Sequence, residues 1–326
     1  MCLRKCIFML NFVNRIHFFY YSSYSLGVRD FRLNMDYEQQ ALEAIDKIHS
    51  LKLQDARLFA DFQGVKMRLQ LETGKNDLEF KSGDVLYIYT NSSQYPYISN
   101  YDIVSEFVKP GFKISFADDK IEAIILRIDS NGIEIKFVRV DYVLRQNAGC
   151  SIEGEGMPTP HMTKKVCSAI ANSDVIKKRK IDWVILSFME EADEITEFVF
   201  NMHQLGIKVM AKIETGNGVE HIHEIASVVD GFMIGRGDLK NTTKDAYNNY
   251  YSRALKDISL HKDLYIGVGT FFLSNYSQTK NLLDEEIADI KNIKQNDFNY
   301  IMLSKEVVNS KYPYETIKTL QELCQN

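Results

Sequence analysis

The chain is poor in proline and cysteine, with five of each among 326 residues. So few prolines exclude extended polyproline linkers. Cys2, Cys6, Cys150, Cys167 and Cys324 are scattered and odd in number, and no C-x-x-C pair occurs. Neither a zinc site nor a disulfide framework is expected from them, and a reducing, cytoplasmic setting is. No apolar run approaches the roughly 18 residues of a membrane helix. Basic charge is also short: 39 Lys and Arg against 44 Asp and Glu leave a net charge of −5. Binding to nucleic acid or to an anionic membrane through bulk charge is therefore excluded. What is present is ordinary for a globular protein, 45% hydrophobic and 25% charged residues, which excludes disordered and fibrous classes. The chemistry has to come from motifs.

At the N-terminus, Arg4 and Lys5 precede an apolar run, Cys6 to Val13, of the length of a signal-peptide core. No small-residue cleavage site follows it, so a buried strand is the preferred reading. Further strands are expected at Val28–Leu33, Ala56–Asp61, Trp183–Ser187, Lys208–Ile213, Gly231–Gly235, Leu264–Val268 and Asn299–Leu303. With Lys5–Leu10 they number eight. Amphipathic stretches separate them: Asp36–Leu51, Thr163–Ile176, Ala192–Leu205, Val219–Val229, Lys244–Leu260, Leu283–Gln295 and Pro313–Leu323. Eight strands alternating with helices predict an α/β chain folded as a (β/α)8 TIM barrel. Between Arg68 and Gly149 the alternation breaks into short strands with turn signals at Lys81–Asp84 and Asn131–Gly132. A small all-β lid domain inserted after the third barrel strand is expected there, over 69–149, with the barrel formed by 1–68 and 150–326.

Catalytic side chains of such barrels sit at the C-terminal ends of the strands. On the fifth strand, Lys212 and Glu214 alternate with apolar neighbours and so share the inward face. A buried cation and carboxylate are costly without a ligand or a partner, and a plain ion pair is the bland alternative. The sixth strand ends Gly235-Arg236-Gly237-Asp238, a turn whose backbone N–H groups can face an anion. Asp238 and Glu214 could share a divalent metal through oxygen. Thr270 ends the seventh strand with a hydroxyl. Arg32, before Leu33 and Asn34, ends the second with a guanidinium suited to a phosphate or carboxylate. His221 and His223, two apart on an expected helix, do not face each other and are discounted as a metal pair.

Taken in order, these segments resemble the pyruvate kinase family. Asp61-Phe62-Gln63-Gly64-Val65-Lys66-Met67-Arg68 is similar to its D-x-x-G-P-[EK]-I-R segment, and Phe116-Ala117-Asp118-Asp119 to the "DDG" of its lid. Leu186-Ser187-Phe188 resembles its "SF" strand end. Lys212-Ile213-Glu214, with Gly218-Val219 and Glu224-Ile225, resembles "KIE-x-x-x-G-[VL]…EI". Asp230 to Leu239 resembles "DGIMVARGDL", Gly269-Thr270 through Leu273 resembles "ATQML", and Ile301 to Pro313 resembles "MLSGETA-x-G-x-YP". The resemblance implies a phosphotransferase moving a phosphoryl group between phosphoenolpyruvate and a nucleoside diphosphate, with pyruvate and ATP as the other pair. It implies that Arg32 and Lys212 hold the phosphoryl group, that Glu214 and Asp238 ligate Mg2+ or Mn2+, and that Thr270 lies near the carbon protonated to give pyruvate. Gly235, Arg236, Gly237, Asp238, Asn34 and Ser187 would bind substrate. Arg68 and Lys66 would meet the nucleotide beneath a closing lid. A lysine at position 66 is similar to the potassium-independent branch of the family.

The departures fall mainly in the nucleotide half. The first turn reads Asn11-Phe12-Val13-Asn14 rather than Gly-Pro-rich, and Met35-Asp36-Tyr37 replaces F-S-H after Asn34. The arginine expected after "SF" is replaced around Met189-Glu190, and Ser304-Lys305-Glu306 departs from S-G-E. No counterpart of the C-terminal regulatory domain follows the eighth strand and its helix. Regulation through that domain and the usual tetramer are therefore not expected. Two other readings stay open: a homologue that binds phosphoenolpyruvate or pyruvate in a regulatory role without turnover, and a metal-dependent lyase or aldolase acting on a pyruvate enolate.

Overall fold

The structure is a computed structural model that describes residues 7–11, 22–53, 55–64, 66–117, 119–157, 161–178, 181–270 and 272–325. The chain forms two compact units, Met1–Gly64 with His161–Asn326, and Val65–Pro160. The smaller unit thus begins before, and ends after, the 69–149 span read from the turns. Lys5 and Cys6 of the first expected strand, positions 12–14 of the first turn, and Asp118 of the "DDG" segment lie outside the described residues.

The larger unit begins with β1 (Ile7–Asn11), β2 (Asp30–Asn34) and β3 (Arg57–Phe62). The smaller one holds β4 (Arg68–Gln70), β5 (Asp77–Leu78), β6 (Val85–Tyr89), β7 (Tyr97–Ser99), β8 (Lys113–Phe116), β9 (Ile121–Ile128), β10 (Gly132–Val140), β11 (Leu144–Arg145) and β12 (Ala148–Glu153). The chain then returns through β13 (Trp183–Leu186), β14 (Lys208–Ile213), β15 (Gly231–Gly235), β16 (Tyr265–Gly269) and β17 (Tyr300–Leu303). In the larger unit β1, β2, β3 and β13 to β17 pair in parallel and close on themselves, β1 meeting both β2 and β17. This is the (β/α)8 barrel expected from the alternation. In the smaller unit seven strands close in the order β10-β6-β7-β4-β12-β8-β9 around Leu69, Ile88, Ile114, Phe116, Ile125 and Ile135.

The barrel interior follows from the two-residue period of its strands. Phe59, Trp183, Ile185, Met210, Met233, Tyr300 and Met302 point inward and pack together, with the Phe59 and Trp183 rings stacked at 5.3 Å. Tyr300 is fully buried, and its hydroxyl donates to the Phe232 carbonyl at 3.1 Å. A Cβ at Gly267 would lie 2.2 Å from that ring, so the facing strand carries no side chain there. Near the N-terminal ends of the strands, Arg57 donates twice to buried Asp30 at 2.7 Å, and the Tyr265 hydroxyl adds a third bond at 2.6 Å. Asp30, Arg57 and Tyr265 each begin a strand, so this network closes the face opposite the strand ends that carry the candidate site.

Several elements differ from expectation in detail. The expected helix Thr163–Ile176 is two, Lys164–Ala171 and Asp174–Lys178, because the Asn172 N–H closes the first one onto the Ala169 and Ile170 carbonyls. Val219–Val229 is likewise two, Gly216–Glu220 and Ile222–Ala226, broken at His221. Asp36–Leu51 opens with a 3-10 turn, Met35–Tyr37, before the helix Glu38–Ser50. Cys150 and Cys167 are free and buried, and Cys324 is disulfide-bonded. Among the described residues no helix is long and apolar enough to cross a membrane.

Candidate active site

At the C-terminal rim of the barrel, four neighbouring strands converge on one carboxylate. Asp61 stands two residues after Phe59 on β3 and therefore shares its inward face. It is fully buried. Its Oδ2 accepts Arg32 Nε from β2 at 2.6 Å and Lys212 Nζ from β14 at 2.9 Å, and its Oδ1 accepts the hydroxyl of Ser187, after β13, at 3.0 Å. Burial pushes the Asp61 carboxyl up, but the Arg32 and Lys212 charges outweigh it and hold the group at about 2. For Lys212, burial favours the neutral amine, and Asp61 and Glu214 overcome it, leaving the ammonium above its usual range. Asp61 was not among the site residues expected from the sequence.

Glu214 follows β14 directly. Its Oε1 lies 3.4 Å from Lys212 Nζ and its Oε2 accepts the Phe188 N–H at 3.0 Å. The Lys212–Asp61 contact is the shorter of the lysine's two, so the expected Lys212–Glu214 pair is secondary to it. Burial, with repulsion from Asp238 and Asp61, pushes the Glu214 carboxyl up to about 8 against the pull of Lys212. A side chain at Gly235 would not fit beside it, since a Cβ there would sit 2.7 Å from Glu214 Oε1. Asp238 lies in the first turn of the helix Arg236–Thr243. The rim thus sets Glu214, repelled by Asp61 and Asp238, beside two buried cations. Arg32 Nη1 is buried without a hydrogen-bond partner, a donor left over for an anion.

Thr270 directly follows β16 and has a backbone φ of +73°, a left-handed conformation rare for a β-branched residue. Arg236 has its side chain buried, with Nε 2.9 Å from the Thr270 carbonyl and Nη1 2.6 Å from Asp289. In the expected substrate turn, Gly235, Arg236, Gly237 and Asp238, the backbone opens a helix while the arginine side chain turns into the protein. Asn34 caps the short turn after β2, its Oδ1 accepting the Asp36 N–H at 3.1 Å. Lys66 and Arg68 belong to the smaller unit, where the Lys66 carbonyl accepts Asn100 Nδ2 at 3.1 Å and Arg68 Nη1 donates to the Asn147 carbonyl at 3.2 Å.

Glu190 stands near the position where the resemblance leads to an arginine. It is buried, its Oε2 accepting Asn217 Nδ2 at 2.9 Å with His161 Nδ1 at 3.9 Å, and its Oε1 has no hydrogen-bond partner. His221 and His223 do not converge. His223 Nδ1 instead meets His261 Nε2 at 2.9 Å.

An eight-stranded parallel barrel with a second, all-β unit inserted after its third strand, and a buried Arg–Asp–Lys–Glu cluster on the rim, defines the class. Residues 27–317 match the family model described as pyruvate kinase, barrel domain, and the chain belongs to the pyruvate kinase family. It is 25% identical over 276 residues to a pyruvate kinase of Chlamydia muridarum, covering 82% of this chain and 56% of that one. It is 23% identical over 311 residues to a pyruvate kinase of Thermotoga maritima, covering 92% and 65%. The chain spans about half to three fifths of the length of the first relatives it matches, at 56%, 52% and 62%. A crystal structure of Cryptosporidium parvum pyruvate kinase superposes with a TM-score of 0.80 at 20% identity, covering 99% of this chain and 70% of that one. A second structure of that enzyme, in complex with ADP, gives 0.72 at 21% identity, covering 99% and 68%.

Proposed function

We propose that this chain is a divalent-metal-dependent phosphotransferase acting between phosphoenolpyruvate and a nucleoside diphosphate. The observation that carries the reading is the buried cluster of Arg32, Asp61, Lys212 and Glu214. It supplies two fixed cations and one guanidinium nitrogen without a hydrogen-bond partner at the barrel rim. Phosphoryl transfer asks mainly for positioning and for charge stabilisation in a water-poor site. Arg32 and Lys212 hold the transferring group in this reading. Ser187 orients Asp61, which in turn orients both cations. The N–H groups of the Gly235–Asp238 turn take the substrate carboxylate, and the Thr270 hydroxyl lies toward the carbon that gains a proton. Arg68 serves the nucleotide, and Lys66 stands in for a monovalent cation.

Glu214 and Asp238 would hold the metal. Glu214, whose proton affinity burial and the neighbouring Asp238 raise, forms with Asp238 a hard oxygen pair suited to Mg2+ or Mn2+. No group of three or more His, Cys, Asp or Glu could hold a metal ion among the described residues. The remaining ligands would therefore come from substrate and water. When bound, the metal supplies neutralisation of the negative charge on phosphoryl and enolate oxygens.

A lactate-coupled assay with phosphoenolpyruvate, ADP and Mg2+ tests the reading. Turnover by the intact chain is expected, falling at least about 100-fold in Lys212→Met. No turnover, or turnover indifferent to Lys212, overturns it. Glu190, a buried carboxylate where the family resemblance leads to arginine, favours a second reading in which the site binds phosphoenolpyruvate without transfer. Calorimetric binding of phosphoenolpyruvate with Mg2+, in a protein that gives no turnover, supports it.

A further inference from the structure

The proposed function gives Thr270 a task, and the structure shows what holds that residue in place. A threonine at φ +73° persists only where its surroundings over-determine it. Its N–H makes one long contact, to the Met302 carbonyl at 3.4 Å. Its carbonyl takes two donors from one guanidinium, Arg236 Nε at 2.9 Å and Arg236 Nη2. The same Nε lies 3.3 Å from the Gly269 carbonyl, so the guanidinium spans the last residue of β16 and the one after it. It is itself fixed on two sides. Nη1 donates to Asp289 Oδ2 at 2.6 Å, from the helix Asp284–Gln295, and the guanidinium lies 4.0 Å from the centroid of the Phe272 ring. The planar fork is what allows one side chain to serve a carbonyl, a carboxylate and a ring face together, and a lysine ammonium cannot copy it.

We propose that Arg236, fixed by Asp289 and Phe272, is a positioning residue that holds Thr270 in its left-handed conformation and ties the end of β16 to the helix carrying Asp238. The inference deepens the proposed function and rests on it for the role of Thr270. It is the guanidinium that acts through the threonine, its contacts being the Gly269 and Thr270 carbonyls, Asp289 and the Phe272 ring, while the Arg236 backbone N–H stays with the substrate turn. The effect is one of aim, since misplacing a catalytic group by about 1 Å costs on the order of 100-fold in rate.

The test uses the full chain with 13C-methyl-labelled threonine, the Thr270 resonance being assigned by its loss in Thr270→Ser. The buried Thr316 methyl reports on the intactness of the fold. In Arg236→Met the Thr270 resonance is expected to shift or split while that of Thr316 stays. The kcat and the rate of deuterium entry into the pyruvate methyl group are expected to fall about 100-fold, with KM for phosphoenolpyruvate little changed. Asp289→Asn, which keeps the shape and removes the charge that fixes the fork, gives a smaller change of the same kind. It replaces Arg236→Met should the latter not fold. An unmoved Thr270 resonance overturns the proposal whatever the activity. A moved resonance with unchanged kcat overturns the positioning role, as does a rise in KM alone. If the unmodified protein shows neither turnover nor exchange, the proposed function fails, and the resonance by itself decides whether Arg236 holds Thr270.

Discussion

Donors from three other strand ends meet on the Asp61 carboxylate, and that group is fully buried. Removing it leaves Arg32 without its ion-pair partner and Lys212 with Glu214 alone, a loss of about 3–5 kcal/mol for a broken buried pair. Asp61→Ala is therefore expected to lower the urea midpoint sharply, and a midpoint close to that of the unmodified protein would contradict the account. Glu214 behaves in the opposite sense. Its ordinary value is 4.5 and its value in the folded chain is about 8, so the native state grips the proton more tightly than the unfolded chain does. The stability tied to that proton is fully present below about pH 4.5 and is lost as the pH rises through about 8. Thermal melts of metal-free protein are expected to show Tm falling across that window. Glu214→Gln flattens the fall if Glu214 is its source. The sequence carried a usable sign of Asp61, because period-two alternation from Phe59 aims it inward. What hid its role is distance: its three partners stand 29, 126 and 151 residues away, beyond any local pattern.

The strand ends do more than display side chains; each needs a particular neighbour to leave room. Glu214 reaches its place because β15 ends in glycine. Gly235→Ala would put a methyl group 2.7 Å from both the Glu214 Cγ and Oε1. The variant is expected to push the carboxylate aside and weaken Mn2+ binding about 10–100-fold, as loss of a supporting contact does. Titration by electron paramagnetic resonance measures it, and unchanged affinity would remove Glu214 from the metal site. At this scale the strands were legible, because short apolar runs separated by amphipathic stretches leave few other folds open. The helix breaks were not. Asn172 and His221 end their helices through local backbone hydrogen bonds that any polar residue in an amphipathic stretch could also forgo. The left-handed Thr270 was also illegible, since threonine gives no signal of positive φ and its restraint comes from Arg236, 34 residues earlier.

Each of the two units has an apolar interior of its own. Around the seven-stranded sheet, Leu69, Ile88, Ile114, Phe116, Ile121, Ile125, Ile133 and Phe137 are all but inaccessible to water. A separate core is the physical requirement for independent folding. Residues 65–160 expressed alone are expected to give dispersed amide resonances and a single cooperative melt, and a collapsed spectrum would show that they borrow stability from the rest. The rim of the larger unit has a different consequence, one that concerns descent. Arg32, Asp61 and Lys212 come from three strands and Ser187 directly follows a fourth, and three of the side chains satisfy the Asp61 carboxylate. A change at Asp61 takes a partner from two cations at once, and a change at either cation leaves Asp61 short. Among diverging copies of this gene, a single substitution at Arg32, Asp61 or Lys212 is therefore expected to be tolerated less often than a compensated pair, while the exposed helices around them are free of that coupling.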